Sequence, residues 1–282
     1  MKDSEFNALI SLLEDDDPTV FEHVEGRLIA MGQEVIPRLE EAWEHTGYPI
    51  IQSRIEEIIH FIQTQDITQN LLAWRKAGGS SLLEGWFLVS QYQFPEIQLS
   101  KYEGIIKRLA HRAFIDIRSQ SYMTTRQKLS TISQLLFRKE KFKSNIEEVF
   151  HPDNYYLNRF LETKKGGPIT FGMLYLLICE KLEIHLRGVI LPNYFLLYYK
   201  DRHEEFYIDI FGQGNFITKQ DIEGFLRQHK VEIRSSYFRP TSKIYMILEL
   251  IRLFIYSYEQ ENKPAKVKSF KRLQEGIKID FT

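Results

Sequence analysis

Apolar residues recur at helical spacing over the first half of the chain and again near its end, with a β-rich stretch between. Val20, Val24, Leu28 and Met31 repeat at helical intervals behind Asp17-Pro18, a start with Asp as cap and Pro in the first turn. Gly32 is expected to end that helix. Val35, Ile36, Leu39 and Trp43 predict a second helix, broken at Gly47-Tyr48-Pro49, and Ile51, Ile55, Ile58, Ile59 and Ile62 predict a third. A short helix over 71–76 is expected to stop at Gly78-Gly79. Ser80 or Ser81 can cap the next, through Leu82, Leu83, Trp86, Phe87 and Val89. Further helices are predicted over 102–118 and 125–137. From residue 186 the pattern changes to aromatic and branched runs at 186–191, 194–200 and 205–211, with turns at Pro192-Asn193 and Asp201-Arg202-His203. The last two runs predict an antiparallel hairpin closed by Gly212-Gln213-Gly214, and Thr218 or Asp221 opens another short helix. Residues 244–261 predict a long helix, followed beyond Asn262-Lys263-Pro264 by one through Val267, Phe270 and Leu273.

The centre of this pattern is Lys164-Lys165-Gly166-Gly167-Pro168-Ile169-Thr170, leading into residues 171–182, which are apolar nearly all round. A helix apolar on every side is a core helix. The two glycines permit positive φ or a close backbone approach, and Thr170 is expected to be the N-cap. A side chain at residue 170 then sits where the helix dipole favours negative charge, a setting used by cysteine nucleophiles.

Composition changes this picture little. A chain of 282 residues with 43% hydrophobic and 27% charged residues has ample core for one to three domains. Its net charge of −1 gives no global pull toward nucleic acid or an anionic membrane. The basic run Arg138, Lys139, Lys141 and Lys143 has no stacking motif beside it and reads as a solvated helix end. The single cysteine, Cys179, leaves no intrachain disulfide and no cysteine zinc site, and fits a reducing cytoplasm. No signal-peptide core follows Met1, and residues 244–256 fall short of a membrane span. A soluble cytoplasmic protein is expected, without cofactor or metal. The helices of 1–65 resemble HEAT-like repeats, too few for independent stability, and serve either as a partner surface or as a cap on the rest. The C-terminal helical hairpin is weakly similar to a tetratricopeptide unit.

A loop, a core helix and then antiparallel strands is the plan of papain-like and transglutaminase-like cores. Four ordered blocks carry a closer resemblance: Asp153-Asn154-Tyr155-Tyr156-Leu157, Lys165-Gly166-Gly167-Pro168-Ile169-Thr170, Ile190-Leu191-Pro192-Asn193-Tyr194-Phe195 and Tyr207-Ile208-Asp209-Ile210-Phe211. From about residue 71 to 237 the chain resembles the SirB-type transglutaminase-like proteins of bacteria. That family reads Asn-Ser, Arg-Gly-Ile-Pro-Ile-Ser, Pro-Gly-His-Phe and Ile-Asp-Pro-Phe in the same order. The resemblance puts the nucleophile position at Thr170, the general-base position at Tyr194 and the orienting acid at Asp209. Threonine needs a base to become a nucleophile, and tyrosine is a poor base at neutral pH because its pKa is about 10. His151, beside the first block, is the candidate substitute base; Asn154, Gly167 and Asn193 are candidate cleft residues. Asp209 also fits a simpler role, capping the turn at Gly212–214, and Cys179 reads as a core thiol.

The expectation is an α+β protein: a helical HEAT-like segment (1–65), a SirB-type transglutaminase-like domain (66–240) with a small antiparallel sheet on a central helix, and a C-terminal helical hairpin (241–282). Its expected role is non-catalytic binding of a protein or peptide, not nucleic acid or membrane, through the degenerate cleft or the helical surfaces. The alternatives are a hydrolase or acyltransferase acting on an amide through Thr170, and a helical scaffold for protein partners.

Overall fold

A computed structural model describes residues 3–120, 122–192 and 194–277, and the chain divides into two compact units between Asn70 and Leu71. The first contains α1 (Asp3–Leu12), α2 (Pro18–Ala30), α3 (Ile36–His45) and most of α4 (Pro49–Lys76). Asp17 caps α2 by accepting from the Thr19 amide, with Pro18 in the first turn, where no donor is needed. Phe6, Leu9, Leu13, Val24, Leu28, Leu39, Ile51, Ile55 and Ile58 form one apolar cluster. The Arg54 guanidinium donates to the Leu13 and Asp15 carbonyls just past α1, satisfying acceptors that the helix end leaves open. The separate helix expected at 71–76 is instead the last stretch of α4, because the mostly polar residues 63–70 contain no Gly or Pro to break it.

The second unit begins with α5 (Leu82–Gln91), α6 (Leu99–Arg118) and α7 (Thr125–Gln134). Ser81 caps α5 and Thr124 caps α7 through a reciprocal box with Gln127. α7 runs into a π-helical turn, Leu135–Lys139, and then β1 (Lys143–Ser144). After α8 (Leu157–Thr163), β2 (Lys165–Gly166) pairs parallel with β1. Then come α9 (Pro168–Lys181), β3 (Arg187–Leu191), β4 (Tyr194–Lys200), β5 (Glu205–Asp209), β6 (Asn215–Ile217), α10 (Lys219–Gln228), α11 (Lys243–Gln260) and α12 (Pro264–Ile277).

Every residue from Ile169 to Cys179 on α9 is buried, as its all-round apolar sequence requires. α9 packs against α5 and α6 and against β3 and β4. Strands β3 to β6 form an antiparallel meander in sequence order. Its central strand β4 is buried on both faces, which is why its sequence is almost unbroken in apolar residues rather than alternating. Leu196 and Tyr198 face a cluster completed by Ile222 and Leu226 of α10. Phe195 faces α9, where its ring lies so close to Gly172 that a Cβ there would come within 2.2 Å of it. A glycine is therefore needed to seat the sheet on the helix. Around the far side of α9, Phe171 stacks among Phe137, Phe142 and Phe160. α11 packs on α5, and the Tyr156 and Tyr258 hydroxyls meet at 2.7 Å in a buried pair.

Two outcomes follow for stability. Gly172→Ala is expected to lower the unfolding free energy in urea by about 1–2 kcal/mol, because overpacking outweighs the helix gain. Gly104→Ala on α6, with nothing within 4 Å of the added Cβ, is expected to raise it by about 0.5–1 kcal/mol. If Gly172→Ala proves as stabilising as Gly104→Ala, the close contact with Phe195 is wrong. Burial also pushes the Tyr155 and Tyr258 phenols up to about 12 and raises those of Tyr156 and Tyr175. The folded state holds these protons more tightly than the unfolded chain, whose phenols titrate near 10.0. Stability is thus complete below about pH 10 and falls as the pH rises toward 12. The later part of the rise in phenolate absorbance, from the buried tyrosines, should accordingly accompany loss of helical circular dichroism.

Candidate functional site

The loop into α9 is built by close packing. Gly167 is the N-cap in extended conformation, Pro168 occupies N1, and Thr170 stands at N3. Thr170 is thus not the N-cap, as the sequence suggested; it caps from within the helix. Its hydroxyl accepts from the Gly167 amide at 3.1 Å and donates to the Gly167 carbonyl at 3.0 Å. The side chain is fully buried. The glycines do not serve positive φ either. The left-handed residue of the loop is Lys164, at φ 57°, where α8 ends. Its ammonium group is tied to the Glu140 carbonyl and carboxylate, which helps hold that conformation. Gly166 is required by space: a Cβ would lie 2.4 Å from the Phe160 ring and 2.7 Å from the Thr170 hydroxyl.

Alternation along β4 separates Tyr194 from Phe195. Phe195 goes to α9, and the Tyr194 ring lies beside Phe211 and, on α10, Phe225. The Tyr194 hydroxyl donates to Asp209 at 2.8 Å. Burial, and then the Asp209 charge and hydrogen bond, raise its pKa far above the ordinary tyrosine value, so it is a fixed proton donor. The same Asp209 oxygen accepts from the Gly212 amide at 2.9 Å, and the Asp209 carbonyl accepts from Gly214. Asp209 therefore ties the β5–β6 turn to Tyr194. Between Tyr194, Phe195, Tyr155, Pro168 and Ile169 the remaining cavity is about 20 Å³, room for about one water.

The other candidates are committed elsewhere. His151 caps a short turn, Pro152–Asn154, its Nδ1 accepting from the Asp153 amide, while Nε2 lies 3.9 Å from Glu261. Its neutral ring therefore carries the proton on Nε2. No hydrogen bond joins it to Thr170 or Asp209 among the described residues. Asn154 is buried and acts as a strut: its amide donates to the Glu148 and Val149 carbonyls, and its oxygen accepts from Asn145. Gly167 faces the Tyr155 ring, 3.1 Å from where a Cβ would sit. Asn193 lies outside the described residues. Burial raises the Cys179 thiol pKa and keeps it protonated. Among the described residues no cluster of His, Cys, Asp and Glu is placed to hold a metal ion.

Sequence reasoning missed Asn145 and Ser144. Asn145 donates through its backbone to Gly166, and the Ser144 hydroxyl donates to the Phe211 carbonyl, linking the loop of the second block to that of the fourth. No spacing rule points to either, since each acts across the fold. The two bonds to the Thr170 hydroxyl give a direct test. Thr170→Val keeps the shape but leaves the buried Gly167 amide without its partner, an expected loss of about 1–3 kcal/mol in urea unfolding. A loss below about 0.5 kcal/mol would show that the hydroxyl is not holding the loop.

Comparison with known proteins gives this arrangement a lineage. Mouse F-box only protein 21 is 28% identical over 209 residues, covering 62% of this chain and 32% of that protein. A UPF0162 protein of Xylella fastidiosa is 22% identical over 148 residues, 52% of each chain. A UPF0162 protein of Vibrio cholerae is 25% identical over 150 residues, 53% of this chain and 54% of that one. The chain thus spans about a third of the first relative and about half of the other two. No solved structure matches it. The family model described as the transglutaminase-like superfamily matches residues 100–252, just over half of the chain, and includes Thr170, Tyr194 and Asp209. The chain belongs to the transglutaminase-like superfamily.

Proposed function

We propose that this protein is a non-catalytic member of its superfamily, of the SirB type, which binds a protein or peptide partner. The observation that carries the reading is the state of the Thr170 hydroxyl. It is fully buried, and both its hydrogen bonds go to the Gly167 backbone rather than to a base. A hydroxyl nucleophile needs a base within about 2.6–3.2 Å of its proton, and room for the acyl group it attacks. The neighbouring phenol is held protonated by burial and by Asp209. The match to about a third of mouse F-box only protein 21 supports a module used within a longer protein as well as in this chain. The helices resembling HEAT repeats and the α11–α12 hairpin resembling a tetratricopeptide unit would add partner surface. A reducing cytoplasm suits its one cysteine, which is buried and free.

The competing reading is a hydrolase or acyltransferase using Thr170. A screen of peptide amides and acyl-transfer substrates is expected to show no turnover by the wild-type protein. Thr170→Cys is expected to stay unreactive to iodoacetamide until the chain is unfolded, because the position has no access. Turnover that disappears in a folded Thr170→Ala variant, or rapid native labelling of Thr170→Cys, would overturn the proposal.

A further inference from the structure

A second feature near the site is open. Between α7 with its π-helical turn, β1, and the turn following β5 lies a groove of about 810 Å³. Gln134, Phe137 and Arg138 form one wall; Phe142, Lys143, Ser144 and Ile146 form the other; Phe211 to Asn215 close the end. Its size is that of a ligand site. The residues lining it include Arg138 and Lys143 and no carboxylate. Both cations are exposed, and neither has an ion-pair partner among the described residues.

The basic run of the sequence is thus divided. Lys139 turns away to Asp116, which it meets at 2.8 Å, while Arg138 and Lys143 face the groove from opposite walls. Adjacent residues on a helix point about 100° apart, and the π-helical turn adds to this division. It inserts an extra residue per turn at Leu135–Lys139 and so rotates Phe137 and Arg138 relative to the register of α7. Apolar surface lies between the charges: Phe137 and Phe211 are half-buried in the walls, and Ile146 is exposed at the rim. β1, two residues long, is hydrogen-bonded to β2 on one side only, and its Ser144 lines the groove.

We propose that this groove binds an extended acidic peptide segment of a protein partner. Its carboxylates pair with Arg138 and Lys143, and its apolar side chains lie on Phe137 and Phe211. Charge complementarity selects an acidic ligand, and the strand edge together with the apolar walls selects a peptide over a small anion. The proposal goes beyond the reading of the Thr170 site and does not need that site to be inert.

The probe is a fluorescein-labelled peptide of alternating glutamate and leucine, followed by fluorescence anisotropy against the full chain. Saturable binding is expected, weakening as salt is raised. The double variant Arg138→Glu/Lys143→Glu should bind at least about tenfold more weakly. Its urea midpoint should match wild type, since both side chains are exposed. Lys107→Glu, an exposed position outside the groove, should bind as wild type does. Absence of saturable binding by the wild-type chain would overturn the proposal. So would a double variant that binds within about twofold of wild type, or an equal affinity for a lysine–leucine peptide. Displacement by inorganic phosphate at low millimolar concentration would show a small-anion site instead, and the peptide proposal would fall. Amide turnover at Thr170, if found, would leave these outcomes untouched, so the two readings fail separately.

Discussion

The second unit depends on one constraint: α9 is buried along its whole apolar length, including the end where it begins. A buried helix start cannot leave its amides to water, so each needs a partner from the protein. Pro168 removes one donor, and Thr170 satisfies another by turning its hydroxyl back on Gly167. The position that the superfamily resemblance assigns to a nucleophile is therefore spent on capping. Capping and nucleophilic attack make opposed demands on one hydroxyl. A cap is buried and saturated; a nucleophile must keep a lone pair aimed at an open cleft. The packing of Phe160 over Gly166 and of Phe195 over Gly172 leaves little space in which that lone pair could be freed.

The positions that the resemblance assigns to the base and the orienting acid are held together structurally. Tyr194 and Asp209 are joined as a base and its orienting acid would be, the ring donating to the carboxylate, but a phenol has no second basic atom with which to take a proton. The phenol donates, and the carboxylate also accepts from Gly212. Such a pair is useful structurally because Asp209 fixes the β5–β6 turn and the strand carrying Tyr194 at once. It also fills the volume an imidazole would leave, since the Tyr194 ring extends to Phe211 and Phe225. A tyrosine at this position therefore contributes packing and a fixed proton donor.

Local chemistry explains which parts were legible in the sequence. Asp17-Pro18, Ser81, Thr218 and the turns at Asp201 and Gly212 act within a few residues of themselves, and the chain reads them directly. The core character of α9 and the β4–β5 hairpin were equally open, because apolar pattern and turn residues agree there. What escaped depends on contacts distant in sequence or on backbone detail. Thr170 looked like the N-cap, and only the helix register shows that Gly167 holds that place. Lys164 adopts the left-handed conformation beside two glycines that do not, because Gly166 is needed for clearance from Phe160 and Lys164 has Glu140 to hold it. The fusion of 71–76 into α4 is marked only by the missing Gly or Pro over 63–70, and the π-helical turn leaves no residue-type signature.

The closed site and the open groove share their walls. The Ser144 hydroxyl donates to the Phe211 carbonyl, so the strand that pairs with Gly166 also fixes a residue two positions after Asp209. Tightening the Thr170 loop thereby sets β1, and β1 sets one wall of the groove. The opposite wall is set by Ser133, which the backbone of Gly214 approaches so closely that a Cβ would lie 2.2 Å from its hydroxyl. A groove bounded this way is shaped before any ligand arrives, and preorganisation limits the entropy lost on binding. The closure around the Thr170 hydroxyl and the shape of the groove beside it are thus two effects of the same packing.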